Sequence, residues 1–124
     1  MPQAIQITLG DLKIKAQLND GPTAQAIIEA LPIEGAAQRW GQEIYFAIPV
    51  QKPLEQDAQE VLERGTLGYW PSGNAFCMFW GPTPASQGDE IRAASAVNIV
   101  GTLSDDFDKL DSVTDGTNVL IESV

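Results

Sequence analysis

Glu43 is the carboxylate in this chain whose neighbours suit it best for chemistry. It stands in the run Arg39–Val50, RWGQEIYFAIPV, with Trp40 before it and Tyr45 after it. A carboxyl group in such aromatic surroundings loses hydration, which disfavours its ionised form and makes its proton transferable near neutral pH. Read as a strand, the run puts Glu43, Tyr45 and Ala47 on one face and Ile44, Phe46 and Ile48 on the other. If the first face lines an apolar cleft, Glu43 is a candidate catalytic acid or base. The competing reading is a structural glutamate, facing solvent or paired with Arg39 or Arg92.

The rest of the reactive inventory is small. The chain has no histidine and one cysteine. Ser-His-Asp and Cys-His triads, imidazole zinc sites and multi-cysteine clusters are therefore excluded. Cys77 alternates with Ala75 and Phe79 in a segment apolar on both faces, where a thiol behaves as a small buried hydrophobe rather than a nucleophile. The acids Asp105, Asp106, Asp108 and Asp111 superficially suggest calcium, but the glycine turn and closing glutamate of an EF-hand loop are missing. Phe107 and Leu110 sit at helical spacing among them, so a solvated helix face is the better reading. Arg92 with Asp89 and Glu90 reads as a charged loop. No metal and no cofactor is expected.

A ligand site has more support. Gly65–Pro84, GTLGYWPSGNAFCMFWGPTP, holds five of the nine aromatic residues and no charged one. Such a segment builds a tightly turned core hairpin, the wall of an apolar cleft, or both from its alternating faces. Tyr69, Trp70, Phe79 and Pro82 from this segment, with Trp40 and Tyr45, are the candidate wall. Trp80 belongs to the same aromatic group. Arg39, Glu43, Ser95 and Asn98 are the candidate polar contacts, the last also readable as a residue bonded to backbone.

The elements that must position these groups are short. Gln3–Leu9 and Leu12–Leu18 alternate about Gly10-Asp11, a two-residue hairpin signal. Asp20-Gly21-Pro22-Thr23 opens a helix of about nine residues with a side-chain cap and a first-turn proline, and Pro32 stops it. Gln42–Val50 is a strand. Residues 51–64 read as a surface excursion with a turn of helix near Ala58–Glu63. Leu67–Trp70 and Ala75–Trp80 are strands joined by Pro71-Ser72-Gly73-Asn74. Pro82–Glu90 is a loop, Ala96–Leu103 a strand, Asp105–Val113 a short acidic helix, and Thr117–Ser123 a closing strand after the Asp115-Gly116 turn. About eight strands and two helices, without a βαβ rhythm, predict a mainly β closed or nearly closed barrel.

Composition bounds the remaining classes. The 124 residues suit one domain, spanning 1–124, with 44% apolar residues. A net charge of −10 opposes nucleic-acid backbones and anionic membranes as partners. The amino terminus has no basic, then apolar, secretory pattern, and no apolar run is long enough to span a bilayer. With its lone cysteine, this points to a cytoplasmic protein. A homo-oligomer is compatible with the sequence.

Three blocks carry a resemblance: RWGQEIYFAIPV, GTLGYWPSGNAFCMFWGPTP, and ASAVNIVGTLSDDFDKL at Ala94–Leu110. Together they resemble the cyclophilin-like family of small, mostly uncharacterised bacterial and archaeal proteins. The resemblance implies a closed eight-stranded cyclophilin-like barrel with two short capping helices. In true cyclophilins, the isomerase site uses an arginine on the strand corresponding to Glu43–Pro49, a phenylalanine just beyond it, and a histidine in a later loop. This strand has no arginine, since Arg39 precedes it, and the chain has no histidine. Prolyl isomerase activity is therefore not expected. The favoured expectation is a non-catalytic binding module for a small organic molecule or short peptide. The alternative is an enzyme of the amidohydrolase- or oxoprolinase-associated type using Glu43.

Overall fold

Alternating burial begins at the first residues. In β1 (Gln3–Leu9) and β2 (Leu12–Leu18), Ile5, Ile7, Leu9, Ile14, Ala16 and Leu18 are buried while Lys13, Lys15 and Gln17 are not. The two pair in an antiparallel hairpin from Gln3↔Leu18 to Leu9↔Leu12, as the period-two pattern predicts. This computed structural model describes residues 2–104 and 107–124.

Helix α1 (Pro22–Ala30) follows, with Thr23, Ala24 and Ile27 buried. Its start differs from expectation. Gly21 is the N-cap and supplies no side-chain cap. The free Thr23 N–H instead donates to the Glu55 carboxylate at 3.3 Å, and the Thr23 hydroxyl also bonds Glu55. A distant loop thus does the work of a local cap.

The remaining strands are β3 (Ile33–Ala36), β4 (Gln38–Arg39), β5 (Glu43–Ala47), β6 (Gln59–Leu62), β7 (Thr66–Trp70), β8 (Ala75–Phe79), β9 (Ile91–Leu103) and β10 (Asn118–Ser123). A 3-10 helix at Pro71–Gly73 joins β7 to β8, ending at Asn74 in the left-handed conformation. Another, Phe107–Ser112, stands where the acidic helix is predicted, while Asp105 and Asp106 lie outside the described residues.

The predicted closed eight-stranded barrel gives way to ten strands in an open order, β3-β10-β1-β2-β9-β7-β8-β5-β4, with β6 paired to β9 off this path. Mainly β composition and the antiparallel plan hold. Ala37 stands between the two terminal strands, β3 and β4. Its N–H donates to Thr117 O at 2.8 Å and its carbonyl accepts from Gly116 N at 2.8 Å, so neither group continues a ladder toward β5. Where β3 passes β5, the Phe46 ring fills the seam against Gly35, at which a Cβ would stand 2.6 Å from the ring. The two ends of the order, β3 and β4, follow one another in the chain across Ala37.

Two further boundaries move. Gln59–Leu62 is a strand, not a turn of helix, because it pairs with the first half of β9. An isolated helical turn carries the cost of nucleation with little return, whereas the β9 edge offers ready partners. Strand β9 itself begins at Ile91 instead of Ala96 and runs for 13 residues. Its first half pairs β6, and its second half pairs β7 and β2.

The sheet has apolar packing on both faces. The larger cluster contains Ile5, Ile44, Phe46, Tyr69, Phe76 and Met78. A smaller one, on the opposite face of β7 and β8, contains Ala75, Cys77, Phe79, Val97, Ile91 and Leu62. All five residues of β8 are consequently buried.

Candidate functional site

The alternation of β5 sends Ile44 and Phe46 into the larger core and leaves Glu43 and Tyr45 on the other side. Pairing then extends that side. Tyr45 sits opposite Cys77 in β8, and Gly68 of β7 sits opposite the same cysteine. Across this surface, Trp40, Glu43, Tyr45, Trp70, Cys77, Ala93, Ala94 and Val97 line a cavity of about 250 Å³. The small Ala93 and Ala94 on β9 leave the space, and the aromatic rings wall it.

Each wall is held from behind. Trp40 lies in a tight turn closed by its own N–H donating to Glu43 O at 3.0 Å. Gly41, at φ +65°, takes the left-handed conformation that this turn needs, and a Cβ there would stand 2.8 Å from Pro82 O. The turn is docked on the chain beyond β8 through Gln42 N–H to Pro82 O at 2.9 Å and Trp80 N–H to Gln42 O at 3.0 Å. The Trp70 indole N–H donates to Ser95 Oγ at 2.6 Å, and its ring edge rests on Gly73. Val97, a lining residue, packs closely over Gly68, where a Cβ would meet Val97 at 2.8 Å and Phe79 at 3.3 Å.

Glu43 is only 6% exposed. Burial raises its pKa from the ordinary 4.5 to about 7, and the facing Cys77 thiol offsets this only in part. Cys77 is fully buried, and its pKa lies well above the ordinary thiol range, first through burial and then through the neighbouring Glu43 charge. The thiol is thus a protonated donor, not a thiolate nucleophile. Neither anticipated arginine reaches Glu43. Arg39 donates to the carbonyls of Gly41, Asp111 and Val113 and lies over the Trp80 ring at 5.1 Å. Arg92 pairs with Glu60 and Glu90.

Of the residues nominated from sequence, Trp40, Glu43, Tyr45 and Trp70 come together at the cavity, and Ser95 supports Trp70 from the side. Phe79 is buried in the smaller core beside Gly68. Tyr69 points to the opposite core, where its hydroxyl donates to Val50 O at 2.6 Å. Asn98 is wholly buried and bridges Glu55 N, Thr23 Oγ1 and Pro53 O. Arg39 and Pro82 lie outside the lining. Trp80 is buried too, its indole N–H donating to Asp111 at 2.7 Å.

Cys77, Ala93, Ala94 and Val97 were not among the nominated residues. The run of small residues at Ala93–Ala96 is a signal for open space, but the pairing of β5 with β8 that brings Cys77 to Glu43 has no local mark. Among the described residues, no group of three or more His, Cys, Asp or Glu side chains could hold a metal ion. Nor is any described helix long and apolar enough to cross a membrane.

Residues 3–122 match the Cyclophilin-like family. Among solved structures, the chain is similar to the solution structure of the hypothetical protein AF2241 from Archaeoglobus fulgidus. The identity is 37%, the TM-score is 0.84, and 99% of this chain and 95% of that one are covered. It is also similar in fold to McbB, solved in complex with tryptophan, at 13% identity and a TM-score of 0.73. That match covers 96% of this chain and 44% of that one. A comparison with curated proteins returned no match.

Proposed function

The chain belongs to the cyclophilin-like family, and from that premise we propose that it is a binding module for a small organic molecule, held in the cavity around Glu43. The observation that carries this reading is the cavity itself: about 250 Å³ walled by Trp40, Tyr45 and Trp70, with one buried carboxyl among them. Apolar concavities with few convergent polar groups are the usual form of ligand sites. The size admits a compact ring system or a single side chain of a peptide, and favours a small molecule over an extended peptide.

Isomerase chemistry has no support here. The pocket lining contains no arginine or histidine to stabilise a twisted amide. A second reading rests on Glu43 alone. A carboxyl with a pKa of about 7 can give and take a proton at neutral pH, which suits an acid–base step on a bound substrate. The two readings part on one experiment. Ligands are sought by tryptophan-fluorescence titration and native mass spectrometry, and each hit is then tested with Glu43→Gln. In a binding module, the variant changes affinity and bound ligands are recovered intact. Recovery of a converted ligand from wild type, but not from the variant, would favour the enzyme. Absence of saturable binding by any compound that fits the cavity would overturn both.

A further inference from the structure

The charge of the occupant is also readable, and this step rests on the ligand-pocket reading above. Glu43 is buried without a counter-cation. Arg39 is spent on three backbone carbonyls and the Trp80 ring, Arg92 on Glu60 and Glu90, and Arg64 on Asp108 and Trp80 O. No lysine lines the cavity. Around the carboxyl stand three aromatic residues, and the face of an aromatic ring carries negative potential that attracts cations. One of these rings is fixed by the Trp70–Ser95 hydrogen bond, so little ordering remains to be done on binding.

We infer that the pocket takes a small organic cation, an ammonium group on a compact apolar body, with the nitrogen against Glu43 and the body between Trp40, Tyr45 and Trp70. An anion would stand against the buried carboxyl with no arginine or lysine in the lining to offset it. A neutral ligand would offer nothing to the carboxylate that forms as Glu43 ionises above about pH 7. The chain's net charge of −10 adds a long-range attraction for cations.

A proton balance follows. The titratable groups that line the cavity with Glu43 are Cys77 from β8 and Tyr45 from its own strand. The thiol stays protonated because burial and Glu43 both push its pKa up. Glu43, at about 7, holds its proton in the empty pocket on the acid side of neutrality. An arriving ammonium stabilises the carboxylate, so the carboxyl proton leaves to solvent as the ion pair forms.

The test uses benzylammonium, with benzyl alcohol as neutral and benzoate as anionic counterpart, titrated calorimetrically into the whole chain. At pH 8.5 the cation should bind at least about tenfold more tightly than either counterpart. Its affinity should fall by about tenfold at pH 6, where its binding should release most of a proton, measured by repeating the titration in buffers of different ionisation heat. Glu43→Gln, which keeps the side-chain shape, should lose the preference for the cation. The proton count on wild type provides a check that does not depend on the variant's folding. Equal or tighter binding of the alcohol or benzoate would overturn the inference and leave the pocket reading intact. So would cation binding without proton release at pH 6. Failure of all three to bind would overturn the inference and weigh against the pocket reading as well.

Discussion

The Trp70 indole N–H and the Ser95 hydroxyl oxygen lie 2.6 Å apart, so a residue on β9 fixes the ring that β7 contributes to the cavity. A satisfied indole donor cannot turn toward the pocket, and the ring presents a set surface to any occupant. Ser95→Ala should release it. The expected cost is about 1 kcal/mol in stability by chemical denaturation, from one hydrogen bond. A several-fold loss in affinity for any cavity ligand should accompany it. An unchanged tryptophan emission spectrum in the variant would show that the bond does not constrain the ring.

Glu43 predicts a pH dependence of stability. Its folded pKa of about 7 lies above the ordinary 4.5, so between those values the folded chain holds a proton that the unfolded chain has lost. The slope is therefore negative: stability falls as pH rises from about 4.5 to 7, and the effect is complete above that range. The difference amounts to roughly 3 kcal/mol. Glu43→Gln removes this dependence and should be more stable than wild type at pH 8 while matching it near pH 4.5. Urea unfolding at the two pH values measures it.

Cys77 should be inert while the chain is folded. It is buried, and its thiol is held protonated by burial and by Glu43. A disulfide reagent at pH 8 should modify it only at the rate of opening, and at least about a hundredfold faster in denaturant. Fast labelling of the folded protein would show that the thiol is accessible and ionised.

Gly68 lies directly under Val97 and Phe79. A methyl group there would stand 2.8 Å from Val97 and 3.3 Å from Phe79. Gly68→Ala should cost about 1–3 kcal/mol by overpacking. Pairing it with Val97→Ala should recover part of that loss, because the two changes exchange volume at one contact. Additive losses in the double variant would mean that the contact is not the source.

Asn98 is a structural bridge. It accepts from Glu55 N at 2.7 Å and donates to Thr23 Oγ1 and Pro53 O at 3.0 Å each, tying β9 to α1 and to the segment before β6. Asn98→Ala leaves buried groups without partners and should cost about 2–4 kcal/mol, seen as a lower thermal midpoint.

What the sequence reveals follows the range of the forces involved. The β1–β2 hairpin, the faces of β5 and the turn after Trp70 are written in local alternation and breaker residues, and they appear where expected. The two-residue β4 is too short to leave a period, and β6 exists through its pairing with β9. The break between β3 and β4 falls at Ala37, whose hydrogen bonds to Gly116 and Thr117 no pattern near residue 37 announces. At the site, Trp40, Glu43, Tyr45 and Trp70 are aromatic or acidic residues in telling company. Cys77 joins them through strand order alone, and Tyr69 and Asn98 turn the other way.

Strands β5, β7 and β8 alternate between cavity and main core: Glu43 and Tyr45 with Ile44 and Phe46, Trp70 with Tyr69, Cys77 with Met78. Consecutive positions therefore answer to different demands. On β5 the lining can change with little effect on the main core, whereas Cys77, Ala93 and Val97 also pack the smaller core. Relatives that share this scaffold therefore have no physical obligation to share the chemistry of this face of β5.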